Sequence, residues 1–131
     1  MDRITLGREG EERAVQYLKK TGCVILERNF RCKYGEIDVI ALDHGTLCFV
    51  EVKTRSRIDY GLPCESVNYR KEQHIKRCAY VFIRLHHMQG YRMRIDIIEV
   101  LFRNHRFYVN LHLLFLLYSN RIMIDMYRKR L

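Results

Sequence analysis

One stretch, Gly35 to Lys53, constrains the fold more than any other part of the chain. Two alternating runs flank Asp43-His44-Gly45, which reads as a tight turn. In the first, Glu36–Leu42, strand period places Glu36, Asp38 and Ile40 on one face and Ile37, Val39 and Ala41 on the other. In the second, Thr46–Lys53, the side chains of Phe49, Glu51 and Lys53 share a face, opposite Val50 and Val52. An antiparallel hairpin follows, and it brings Asp38 into the neighbourhood of Glu51.

The rest of the chain must cover that hairpin. With 131 residues, 48% of them apolar, seven Gly and a single Pro, the composition is that of one globular domain rather than a disordered or collagen-like chain. Residues 6–20 read as a helix. Gly7, Ala14, Val15 and Leu18 fall within about 60° of Glu11 at helical period. Glu9, Glu12, Arg13, Gln16 and Lys20 fall opposite. Thr5 and Gly7 are available to start this helix and Gly22 to cap its end. Cys23–Phe30 reads as a strand and Arg55–Cys64 as a loop around Gly61 and Pro63. Asn68–His87 reads as a second helix with Ile75, Cys78, Phe82 and Leu85 on its apolar face. Met93–Leu101 and Arg106–Leu111 read as further strands. Residues 112–131, with the run Leu113-Leu114-Phe115-Leu116-Leu117, are expected to form an apolar helical tail appended to a domain spanning residues 1–111.

Charge divides the chain in two. Lys plus Arg number 24 against 15 Asp plus Glu, and the whole excess of +9 falls in residues 66–131. A basic surface beside a carboxylate-rich segment suits a polyanion-binding protein that also holds a cation; a basic but inert surface is the plain alternative. The five cysteines include no Cys-x-x-Cys pair, which argues against a disulfide framework or a zinc ribbon. The start, MDRITLGREGEE, has no apolar core of a secretory signal, and the stretch Phe107–Tyr118 is too short to span a bilayer. A reducing cytoplasm and no membrane span are expected.

Three charged residues sit where strand propensity would not place them. Asp38 interrupts Ile37-Asp38-Val39-Ile40, and burying an unpaired carboxylate costs several kcal/mol, roughly. Glu51 and Lys53, two residues apart, project from one face at a spacing of about 7 Å. Two carboxylates converging on one point need a cation or a proton between them. Oxygen donors without clustered His or Cys favour Mg²⁺ or Mn²⁺ over zinc, and a nearby ammonium completes a hydrolytic site. The competing reading is an edge-strand salt bridge between Lys53 and Glu51, with Asp38 solvated. Glu11 lies at the centre of its helix's apolar arc, where compensation of the helix dipole explains it poorly. Lys71 shares a direction with Ile75, Cys78 and Phe82, so it either snorkels at the core edge or meets a phosphate. Arg55 and Arg57, just past the strand, are placed for phosphate contacts or are solvated loop arginines. Gly7 and Gly10 lack the Gly-Lys-Ser/Thr of a triphosphate loop.

Gly7-Arg8-Glu9-Gly10-Glu11, Ala14, Leu18, Arg28-Asn29, Gly35-Glu36-Ile37-Asp38, Phe49-Val50-Glu51-Val52-Lys53-Thr54-Arg55, Gly61, Lys71 and Arg94-Ile95-Asp96 together resemble the YraN-like family, over residues 7–100. That bacterial family is similar to Holliday-junction resolvases within the restriction-endonuclease-like PD-(D/E)XK superfamily. The resemblance implies an α/β fold, a mixed central sheet flanked by helices in the order αβββαβ, with an atypical C-terminal extension. It implies Asp38 and Glu51 as ligands of Mg²⁺ or Mn²⁺, Lys53 as the catalytic lysine, and Glu11 as a further catalytic acidic residue. Lys71 matches a basic position, and Asp96 an acidic one that reads as structural. The implied activity is a metal-dependent endonuclease acting on DNA, at branched or recombination intermediates. The alternative is a non-catalytic nucleic-acid-binding module of a recombination or DNA-processing complex. The tail departs from the family's short ending and reads as a dimerisation helix, a membrane-surface contact or an altered reading frame.

Overall fold

The computed structural model describes residues 1–56 and 69–117. The elements are α1 (Arg3–Lys20), β1 (Val24–Cys32), β2 (Gly35–Asp43), β3 (Thr46–Arg55), α2 (Tyr69–Leu85), β4 (Arg92–Arg103) and β5 (Arg106–Leu117). They form a mixed α/β domain around one five-stranded sheet in the order β1-β2-β3-β4-β5. Every pairing is antiparallel except β3 with β4, which is parallel. Parallel neighbours need a crossover, and α2 lies on that connection.

The helices cover opposite faces. Ala14, Val15 and Leu18 of α1 pack on Val39, Ala41, Cys48, Val50, Ile98 and Val100. On the other side Ile75, Cys78, Ala79, Phe82 and Ile83 of α2 pack on Phe30, Ile40, Leu47, Phe49 and Ile95. Phe82 anchors that side, meeting Phe30 and Phe49 edge to face at 5.4 and 6.0 Å. Leu85, expected in the core, is exposed because α2 ends there.

Local chemistry sets the ends. Asp2, rather than Thr5 or Gly7, caps α1: its carboxylate accepts the Thr5 N–H at 2.8 Å, so the helix starts three residues earlier than predicted. Gly22, in the left-handed region, ends it as expected, with Cys23 N–H donating to the Leu18 carbonyl at 2.9 Å. The β2–β3 turn places His44 and Gly45 at positive φ, as a two-residue hairpin demands. Asn104 and His105 do the same between β4 and β5.

That second hairpin corrects the reading of the tail. β5 continues to Leu117, pairing with β4 from Arg103↔Arg106 to Met93↔Leu117, so residues 112–117 are strand where a helix was expected. A short apolar run carries no periodicity that separates strand from helix, and the twelve-residue β4 offers the partner that decides it. Residues 118–131, and with them the rest of the expected tail helix, lie outside the described residues, as do residues 57–68, with Arg57, Gly61 and Pro63 of the expected loop. The described cysteines, Cys23, Cys32, Cys48 and Cys78, are free thiols. Among the described residues no helix is long and apolar enough to cross a membrane.

Candidate active site

The site forms where β2 and β3 part. Their ladder ends at Val39↔Val50, and the next residues outward are Asp38 and Glu51. Here the Asp38 side chain takes over from the main chain: its Oδ2 accepts the Val52 N–H at 2.8 Å. The predicted alternation fails at the same place. Ile37 packs on the α2 side with Ile40, whereas Val39 and Ala41 pack on the α1 side. Asp38 sits at the point where β2 changes face.

Asp38, Glu51, Lys53 and Glu11 line one open cleft of about 450 Å³, together with Arg3 and Arg8 of α1 and Thr54 of β3. Glycine makes the approach of α1 possible. Gly10 is buried against β3, and a Cβ there would overlap Thr54 Oγ1 and stand 2.8 Å from Cγ2 and 2.9 Å from Cβ. Gly10→Ala should therefore lift α1 from β3. Overpacking of this kind costs about 1–3 kcal/mol, more than the helix propensity Ala gains. Thermal melts check this, and Thr54→Ala in the same chain should recover part of the loss.

Burial pushes the Asp38 carboxyl up to about 7, and the negative charge of Glu51 adds to it. The Val52 N–H pulls the other way, while Glu11 and Glu36 push up further. Glu11 is also raised, mainly by burial, against the pull of Arg28. Glu51 is 8% exposed, and its Oε1 lies 2.5 Å from Lys71 Nζ.

These contacts separate the competing readings. Glu51 pairs with Lys71 of α2, not with Lys53, and Asp38 is half-buried and bonded to the Val52 N–H rather than freely solvated, so the edge-strand salt bridge is not formed. Lys53 lines the cleft and makes no ion pair among the described residues. Arg55 does not line the cleft: β3 extends to it, and its Nε lies 3.6 Å from Glu99 Oε1 in a nearly buried pair. Its expected loop position is corrected accordingly, and Arg57 lies outside the described residues.

Three residues of the site escaped the sequence. Arg8 stands one helical turn before Glu11 and Arg3 begins the helix, spacings that point to a shared face once Glu11 is placed. The Asn29 side chain lowers the Glu11 carboxyl against the effect of burial, and no spacing marks it. Among the described residues no group of three or more His, Cys, Asp or Glu could by itself hold a metal ion. Asp38 and Glu51 are a two-carboxylate set, the number that Mg²⁺ sites completed by water and phosphate oxygens commonly use.

A family model described as Uncharacterised protein family UPF0102 matches residues 10–100. A UPF0102 protein of Caldicellulosiruptor saccharolyticus is 46% identical over 100 residues, spanning 76% of this chain and 85% of its own. One of Caldanaerobacter subterraneus subsp. tengcongensis is 49% identical over 100 residues, with 76% and 82% covered. One of Clostridium acetobutylicum is 50% identical over 100 residues, with 76% and 81% covered. The family match takes in Glu11, Asp38, Glu51, Lys53 and Lys71 and stops short of β5. By this match and these relatives, the chain belongs to the UPF0102 family.

Proposed function

We propose that this chain is a Mg²⁺- or Mn²⁺-dependent endonuclease that hydrolyses DNA phosphodiester bonds on a restriction-endonuclease-like core, with branched and recombination intermediates as its substrate class, acting in the cytoplasm. The observation that carries the reading is Asp38, half-buried beside Glu51 at a cleft shared with Glu11 and Lys53. A carboxyl kept protonated up to about pH 7 by burial and by the charge of Glu51 is suited to exchanging that proton for a divalent cation.

Asp38 and Glu51 would hold the ion, and Lys71 pairs with the Glu51 carboxylate and fixes its direction. When bound, the ion supplies Lewis-acid polarisation of the phosphoryl group and a more acidic water. Lys53 places its ammonium where negative charge builds on the phosphoryl oxygens. Glu11, raised by burial, can take a proton from the attacking water. Arg3 and Arg8 at the cleft receive flanking phosphates, positioning the strand without reading its bases.

The test is cleavage of branched, single-stranded and duplex DNA with Mg²⁺, Mn²⁺ or EDTA. Lys53→Ala should lower turnover by about 10²–10³-fold, the usual cost of losing one charge-stabilising donor, with DNA affinity nearly unchanged. Turnover unaffected by Lys53→Ala and by EDTA would overturn the reading. Salt-sensitive DNA binding without any turnover would select the non-catalytic binding module instead.

A further inference from the structure

The face change of β2 at Asp38 has a counterpart on β1. The register Arg28↔Val39 and Phe30↔Ile37 sets Asn29 opposite Asp38. Phe30 and Ile37 both pack on the α2 side, whereas Val39 belongs to the α1 side. Strict period two would put Ile37 and Val39 on the same face. The strand pair therefore turns over at Asn29 and Asp38. The backbone records where: Asn29 has φ 54, in the left-handed region, inside a strand. Of the residues other than glycine, Asn is one of the few that tolerate this conformation. The Asn29 side chain also favours the charged form of the Glu11 carboxylate, against the effect of burial.

We propose that Asn29 is the positioning residue of the site. Its left-handed backbone turns β1 and β2 over so that the Asp38 carboxylate meets the Val52 N–H, and its amide holds the Glu11 carboxylate at the same cleft. The two roles separate chemically. The backbone role needs a residue at ease with positive φ, which Gly meets and Ala does not. The amide role needs the side chain, which neither supplies. The effect on turnover rests on the nuclease reading; the effect on Asp38 does not.

The experiment compares wild type, Asn29→Gly and Asn29→Ala. Protection of the Val52 amide from hydrogen exchange reads the bond to Asp38, Mn²⁺ alone probes ion affinity, and cleavage supplies kcat and KM. Asn29→Gly should keep Val52 protected and the melting temperature near wild type, while kcat falls about tenfold at unchanged KM for DNA. Asn29→Ala should lose Val52 protection, melt about 5 °C lower, bind Mn²⁺ more weakly and lose about 10²-fold in kcat. A chain that folds with Gly but not with Ala would support the backbone role equally well. Val52 equally protected in Asn29→Ala and wild type would overturn that role; Asn29→Gly with wild-type kcat would overturn the amide role. Should wild type fail to cut DNA, the nuclease reading falls, and the Val52 measurement still decides whether Asn29 positions Asp38.

Discussion

Asp38→Asn is expected to make the protein more stable and inactive at once. The sign follows from the direction of the Asp38 shift. Its folded value, about 7, lies above the ordinary 3.8, because burial and the charge of Glu51 disfavour the ionised form. Below the ordinary value Asp38 is protonated in both folded and unfolded chains and costs nothing. Between the two values the unfolded chain releases the proton and the folded chain keeps it, so stability falls as pH rises. Above about 7 the full penalty is present, on the order of 2 kcal/mol after allowing for residual hydration. Asn carries no charge and can still accept the Val52 N–H. In EDTA at pH 8 the variant should melt several degrees higher than wild type, and the gap should close by pH 4. Cleavage should fall at least as far as in Lys53→Ala. A variant no more stable than wild type at pH 8 would show that Asp38 is not held against its own charge.

The second large effect lies at the opposite end of the strands. Arg94 donates from Nε to Asp96 at 2.8 Å and from Nη2 to Asp43 at 2.8 Å. Asp96 is 1% exposed, its Oδ1 has no hydrogen-bond partner among the described residues, and burial raises its carboxyl against the pull of Arg94. Arg94→Met leaves that carboxylate buried and alone. Breaking a buried pair in this way costs about 3–5 kcal/mol, whereas replacing both partners by apolar groups is close to neutral. Arg94→Met alone should therefore lower the melting temperature by about 10 °C or more at pH 8. The loss should shrink as the pH falls and Asp96, its carboxyl raised by burial, takes a proton, and Asp96→Leu added to it should restore most of the stability. If Arg94→Met melts like wild type at pH 8, Arg94 is not what satisfies Asp96. Neither Arg94 nor Asp96 lines the cleft, so turnover per folded molecule should stay unchanged in both variants. Asp96, which the sequence marked as structural, has this role.

The hairpin around Asp43-His44-Gly45 was legible because alternation and turn chemistry agree there. Glu11 was legible because a carboxylate in an apolar arc contradicts its surroundings. The partner of Glu51 was not, since Lys53 and Lys71 are equally basic by residue type, and only the packing of α2 on β3 separates them. Strict period two also misplaced Ile37, because one left-handed residue on the neighbouring strand resets the face. The length of β5 escaped for a related reason. Leu113 to Leu117 are apolar at any period, and β4, not local preference, makes them strand.

Chelation of one divalent ion by Asp38 and Glu51 is the step on which the nuclease reading depends. Its most direct test is titration of the protein with Mn²⁺, followed by electron paramagnetic resonance, for wild type, Asp38→Asn and Glu51→Gln. Saturable binding is expected in wild type, weakened at least about tenfold in each variant, as loss of one anionic ligand implies. Equal Mn²⁺ binding by all three proteins, or none by wild type, would contradict it.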